Sequence, residues 1–111
     1  MAYEPGDVVF LPFPYRDQLA ESVRPAVIIS RTDFNQRGDV IVAAVTTHAP
    51  RWPTDVTLLD WKAAKLAKPS TVRMLIATVA DIRIVHHVGH LTDRDWSAVQ
   101  QQLANVIDSG H

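Results

Sequence analysis

The chain has 111 residues, and this length predicts one domain, residues 1–111, with no room for a second catalytic module. It has no cysteine, which excludes disulfides, thiol nucleophiles and Cys-ligated metal sites, and its apolar runs fall far short of the ~18 residues that a membrane span requires. Because the apolar runs are this short, we expect a cytoplasmic protein with no membrane partner. The formal net charge of −1 excludes a whole-surface polyanion binder, so a nucleic-acid site would have to be a local basic patch.

Short runs of β-branched and aromatic residues, separated by turn-forming residues, predict a mostly β fold. Pro12 and Pro14 end the first run because proline donates no ladder hydrogen bond. The polar segment 15–23 predicts a loop of the kind that often lines a site. The unbroken apolar run 39–47 indicates a strand buried on both faces. The predicted strands cover residues 7–13, 24–30, 39–47, 55–59, 70–78 and 82–88.

One amphipathic helix is predicted near the end of the chain. Thr92 is a candidate N-cap, and Asp95 follows three residues later in a capping-box-like arrangement. The apolar positions of one helical face are Trp96, Val99, Leu103, Val106 and Ile107. Five or six strands followed by a helix that covers an open end of the sheet predict a mainly β fold with a C-terminal α-helix, a small SH3-like barrel.

Arg24 stands at the mouth of an otherwise apolar strand, where its guanidinium must reach solvent, a carboxylate or a phosphate. A planar arginine fork stabilises the extra negative charge that builds up on phosphorus during phosphoryl transfer. Arg24 is therefore a candidate catalytic residue. The alternative is a salt bridge to Glu21 or Asp17 that only steadies the loop.

Thr46 and Thr47 end the apolar run, and His48 follows them. A hydroxyl there can bind a phosphate oxygen or hold an attacking 2′-OH, although threonine is also simply a good strand former. Histidine is the residue type best suited to general acid or base catalysis at physiological pH, so His48 is a candidate for that role; the alternative is an exposed loop histidine.

The only basic concentration lies between residues 62 and 75, which contain four basic residues and no acidic one: Lys62, Lys65, Lys68 and Arg73. Such a local electropositive surface suits single-stranded nucleic acid, and Trp52 in a nearby loop is a candidate stacking platform for an unpaired base. Lys62 and Lys65 are equally well explained as a solvated face.

Three further histidines, His86, His87 and His90, cluster in the sequence. Adjacent residues on a strand point to opposite faces, and no cysteine and no acid near them in sequence completes a tetrahedron. We therefore expect no metal site and no cofactor.

Five sequence blocks occur in order, at residues 6–15, 24–30, 45–47, 68–73 and 89–92. With these blocks the chain resembles the PemK/MazF family of toxin endoribonucleases from about residue 5 to residue 103. The resemblance implies a homodimeric barrel of the CcdB/MazF type that cleaves single-stranded RNA without a metal. It also implies a cognate antitoxin that holds the toxin inactive.

By this resemblance Thr46 takes the family's catalytic strand-end position, and Arg73 matches its basic residue. The family commonly has an acid one or two positions later, where this chain has Met74 and Leu75. The predicted catalytic residues are Arg24, Thr46, Glu21 and His48, and the predicted RNA-binding residues are Arg73, Thr47, Arg16, Trp52 and Lys68. The missing acid keeps open an alternative, a non-catalytic SH3-like module that binds nucleic acid or inhibits a partner protein.

Overall fold

The structure, a computed structural model, describes residues 3–15 and 22–108. A short 3₁₀ turn, Asp81–Arg83, precedes the last strand. The elements of the described residues are β1 (Asp7–Pro12), β2 (Val23–Ile28), α1 (Thr32–Asn35), β3 (Asp39–Thr46), β4 (Val56–Thr57), β5 (Thr71–Ala80), β6 (His86–His90) and α2 (Asp93–Val106).

The six strands form one curled antiparallel sheet in the order β4-β5-β3-β2-β1-β6. The predicted mainly β fold with a C-terminal helix is confirmed. The short helix α1, between β2 and β3, was not predicted. Among the described residues, no helix is long and apolar enough to cross a membrane.

Hydrophobic side chains fill both faces of the sheet, because residues along a strand alternate between faces. On one face, α2 packs its buried Val99 against side chains that include Val8 and Val27. On the other face, the curled strands pack against one another around residues such as Leu11. The β3 residues Val42, Ala43, Ala44 and Val45 are all buried, so the predicted two-sided burial of this strand is confirmed. The last apolar positions of the predicted helix face, Val106 and Ile107, are exposed.

The N-terminus of α2 is tied to the segment after β4. Thr92 is the N-cap residue but makes no side-chain cap bond, and its hydroxyl donates instead to Asp60 Oδ2 (2.6 Å). The buried Asp95 carboxylate accepts the backbone N–H groups of Leu59 (3.0 Å) and Asp60 (2.8 Å). The predicted helix is confirmed, but the predicted capping box is wrong, because the amides of a distant segment occupy the Asp95 carboxylate.

Candidate functional site

A cavity of about 300 Å³ opens where the start of β2, the end of β3 and the start of β5 lie side by side. Antiparallel pairing brings these three strand ends together, although they are far apart in the sequence. The cavity is lined by Tyr15, Arg24, Pro25, Ala44, Val45, Thr46, Thr47, His48, Ser70, Arg73 and Leu75.

Arg24 lies on β2 opposite Leu11, and its side chain is exposed at the cavity mouth. It makes no hydrogen bond or ion pair with any other residue in the described ranges 3–15 and 22–108. Its two alternative partners from the sequence, Asp17 and Glu21, lie outside those ranges. Within the described chain, the whole guanidinium fork therefore faces solvent and the cavity.

Thr46 is the last residue of β3, where it pairs with Thr71. Its Oγ1 accepts a hydrogen bond from the backbone N–H of His48 (3.2 Å), which leaves the hydroxyl proton free to be donated. Thr47 and His48 are exposed and line the same cavity. The end of β3 and the loop after it therefore bring two hydroxyls and one imidazole to the cavity that Arg24 also lines.

An irregularity in β5 shapes the floor of the cavity. The β3–β5 register shifts between Ala43 and Ala44, so Met74 and Leu75 have no partner on β3. Bulges of this kind redirect side chains and are common next to active sites. Here Leu75 lines the cavity, while Met74 packs against the core on the opposite face. An aliphatic side chain thus lines the cavity at Leu75, one of the two positions where the resemblance led us to expect an acid.

Arg73 pairs with Ala44 and reaches the cavity just before this bulge. Its side chain is only 18% exposed, and its Nη2 lies 3.5 Å from Oδ2 of Asp55, a carboxylate that is 1% exposed. The sequence reasoning missed Asp55. The signal that could have found it is the pairing of β4 with β5, in which Val56 lies opposite Val72 and places the preceding residue beside Arg73.

Tyr15 is a second residue that the sequence reasoning missed. Burial raises the pKa of its phenol, while the positive charges of Arg24 and Arg73 oppose that rise. Its ring packs against Phe13 with the centroids 4.6 Å apart. One half-buried phenol therefore stands within electrostatic reach of both cavity arginines.

Two other predicted RNA-binding residues in the described ranges, Trp52 and Lys68, do not line the cavity. Trp52 is 66% exposed on the loop before β4, and Lys68 is exposed on the segment before β5. Arg16 and Glu21 lie outside the described residues.

The histidine cluster has an acidic partner that its local sequence does not reveal. Oδ1 of the buried Asp7 lies 2.8 Å from Nδ1 of His90 and 3.4 Å from Nε2 of His87. Within residues 3–15 and 22–108, no group of three or more His, Asp or Glu side chains is placed to hold a metal ion.

Solved structures with a similar fold include the Mycobacterium tuberculosis toxin MazF-mt6, at 20% identity and a TM-score of 0.76 over 92% of this chain and 96% of that one. A MazE–MazF crystal structure from Deinococcus radiodurans matches at 18% identity and a TM-score of 0.75 over 97% of each chain. An endoribonuclease in complex with its cognate antitoxin, from Mycobacterial species, matches at 22% identity and a TM-score of 0.74 over 94% of this chain and 91% of that one. These similarities confirm the MazF-type fold.

The comparison with curated proteins found no match. The family model for the PemK-like, MazF-like toxins of type II toxin–antitoxin systems matches residues 4–107, which include every element of the fold and every residue that lines the cavity. The chain therefore belongs to the PemK-like, MazF-like toxin family.

Proposed function

We propose that this toxin is a metal-independent endoribonuclease that cleaves single-stranded RNA in the cavity between β2, β3 and β5. The observation that carries the proposal is that Arg24, Thr46 and Arg73, from three different strands, line one cavity of about 300 Å³. Such a cavity can take a phosphate group with part of its sugar. The endoribonuclease names of similar structures agree with this assignment.

In the proposed reaction the 2′-OH of one nucleotide attacks the adjacent phosphorus. The O2′–P bond forms and the P–O5′ bond breaks, which leaves a 2′,3′-cyclic phosphate and a 5′-OH. Arg24 stabilises the negative charge that builds up on the phosphoryl oxygens, because its fork has no other partner in the described chain. Thr46 donates its free hydroxyl proton to a phosphate oxygen or holds the 2′-OH in line.

Two protons must move in this reaction, one from the 2′-OH and one to the leaving O5′. His48 is exposed on the cavity wall and can accept the first or supply the second. Glu21, outside the described residues, remains a second candidate for the base.

The RNA strand extends from the cavity along neighbouring basic and aromatic groups. Arg73 and Thr47 bind phosphate at the cavity itself. Trp52 stacks on an unpaired flanking base, and Lys68 and Arg16 bind phosphates further along the strand. Because this part of the binding is electrostatic, affinity for RNA falls as salt concentration rises.

Incubation of the purified protein with a mixed-sequence RNA in EDTA tests the proposal. We expect cuts at defined sites, with 2′,3′-cyclic phosphate and 5′-OH ends identified by end mapping. An intact RNA, under conditions in which a related MazF toxin cuts, would refute it. The mapped ends also give the sequence preference.

We further propose that the toxin is a homodimer that a cognate antitoxin inhibits in the cytoplasm. Large exposed apolar side chains are concentrated between residues 75 and 85, at Leu75, Ile76, Ile82 and Val85. A two-fold interface would cover such residues. Sedimentation at micromolar concentration should give twice the chain mass, and a fully active monomer would contradict the dimer. The similar structures solved with an antitoxin, or as MazE–MazF, support the proposed antitoxin partner.

Leu75 favours a second candidate function, a non-catalytic module that only binds nucleic acid. Its aliphatic side chain lines the cavity wall, and among the described residues that line the cavity no carboxylate is available as a proton acceptor. Salt-dependent RNA binding with no cleavage products would support this candidate. Growth inhibition that survives Arg24→Ala combined with Thr46→Ala would also support it.

A further inference from the structure

Asp55 is a buried carboxylate that lies behind the cavity wall rather than in it. Its Oδ2 accepts the backbone N–H groups of Arg51 (2.8 Å) and Trp52 (3.2 Å). The same oxygen forms the 3.5 Å ion pair with Arg73. The Asp55 carboxylate thus links Arg73, which lines the cavity, to the loop that carries the exposed Trp52.

The sheet register holds this pair in place. Val56 and Val72 lie opposite each other on β4 and β5 and are both buried in the core. Side chains alternate along a strand, so the preceding Asp55 and the following Arg73 meet on the other face.

The ion pair is also incomplete. Asp55 Oδ1 and Arg73 Nε are both buried, and neither has a hydrogen-bond partner among the described residues. A carboxylate and a guanidinium can form two parallel hydrogen bonds, whereas this pair has one long contact. Removing the Asp55 charge would therefore leave Arg73 as a mostly buried cation with no carboxylate partner in the described chain.

We propose that Asp55 is a positioning residue that holds Arg73 at the cavity wall for the binding of an RNA phosphate and couples that arginine to the loop carrying Trp52. The proposal rests on the proposed function of the cavity. Asp55 does not touch the RNA. Its carboxylate offsets the positive charge of Arg73 from a position outside the cavity lining. This contact fixes the guanidinium and keeps the negative charge out of the cavity.

The variant Asp55→Asn separates this role from that of a simple loop cap. Asparagine keeps the side-chain volume and one carbonyl oxygen for the loop amides, but it removes the charge that faces Arg73. The matched control is Asp39→Asn, which breaks an exposed 3.3 Å ion pair with Arg37 at the opposite end of β3. Three quantities are measured: kcat and KM on a single-site RNA, Kd for that RNA with a 2′-deoxy sugar at the cut, and the NMR signal of Arg73 Nε–H.

We expect Asp55→Asn to raise KM and Kd about tenfold, the size of a weakened charge-assisted hydrogen bond, with little change in kcat. The Arg73 Nε–H signal should shift or broaden, whereas Asp39→Asn should leave all three quantities unchanged. In an Arg73→Gln background, Asp55→Asn should add less than about twofold, because the two residues act through one contact. An equal effect in both backgrounds would overturn the proposal and leave Asp55 as a loop cap.

Two further outcomes are decisive. If Asp55→Asn does not fold, Arg73→Gln and the double variant still test the proposal: they should differ less than about twofold in KM and Kd, and a larger difference would overturn it. If the wild-type protein cleaves and binds no RNA, the proposed function fails, but the Arg73 Nε–H signal still tests the pair. A signal that Asp55→Asn leaves unchanged would then refute the positioning role by itself.

Discussion

Arg24→Ala should abolish most of the cleavage activity without destabilising the fold. Removing one preorganised charge stabiliser typically costs about 10²–10³-fold in rate, or about 2.7–4 kcal/mol of transition-state stabilisation. The same change should alter the free energy of unfolding by no more than about 0.5 kcal/mol, because the side chain is exposed and has no partner in the described ranges. The structure therefore predicts a wide separation between the effects on rate and on stability.

Single-turnover cleavage of a single-site RNA in EDTA measures the first quantity, and urea unfolding of the same samples measures the second. Arg24→Lys keeps the charge but loses the planar fork, so its rate should lie between those of the wild type and the alanine variant. Arg31→Ala is the matched control. Arg31 is an exposed arginine in a 3.4 Å ion pair with Asp33, away from the cavity, and its loss should leave the cleavage rate unchanged.

Two results would refute this reasoning. If Arg24→Ala cuts the same bonds within about threefold of the wild-type rate, the charge stabiliser lies elsewhere. If the activity falls together with a large loss of stability, Arg24 has a structural partner, and the alternative salt bridge to Asp17 or Glu21 becomes the better explanation.

Three further predictions concern the packing of β6 and of the N-terminus of α2, away from the cavity. Gly89→Ala should lower the free energy of unfolding by about 1–3 kcal/mol, since its Cβ would lie 2.4 Å from the backbone oxygen of Ala64; an unchanged urea midpoint would contradict this. Asp95→Ala should lower the free energy of unfolding by about 2–4 kcal/mol, because two backbone amides lose a buried charged acceptor. A thermal unfolding midpoint equal to that of the wild type would count against this prediction. The hydrogen bonds that Asp60 accepts, first from Arg94 and then from Thr92, hold its pKa at about 2, below the ordinary 3.8. Ionised Asp60 therefore stabilises the folded state fully above pH ~4, and this contribution is lost as the pH falls through about 2. As the pH falls over this range, the wild type should therefore lose more free energy of unfolding than Asp60→Asn. Parallel curves of that free energy against pH would exclude the effect.

Local signals in the sequence were enough to predict most of the secondary structure. The apolar run of β3, the prolines at the end of β1 and the helical spacing from Trp96 onward all act over a few residues, and each of these elements formed close to its predicted place. The short helix α1 was missed, because four residues carry too little periodicity to distinguish a helix from a turn.

The contacts that sequence reasoning missed all depend on tertiary pairing. Asp95 fits the spacing of a capping box, but its carboxylate is taken by amides 35 and 36 residues away. Asp55 and Arg73 are 18 residues apart, and they meet only because the two-residue strand β4 pairs with β5. Propensity and periodicity carry no information about which strands pair, so such partners cannot be read from one sequence.

The chain has no acid at the two positions after Arg73, but Asp55 supplies a carboxylate partner for this arginine from another part of the sequence. A carboxylate at Leu75 would line the cavity and repel the phosphate that the cavity is proposed to bind. The Asp55 carboxylate does not line the cavity, but it contacts Arg73, which does. It can therefore offset the charge of this mostly buried arginine without placing a negative charge in the cavity. Proton transfer is then assigned to another group such as His48, which is exposed in the same cavity. Under this arrangement, Asp55 acts on phosphate binding through Arg73 and His48 acts on proton transfer, so variants of Asp55 should change KM while variants of His48 should change kcat.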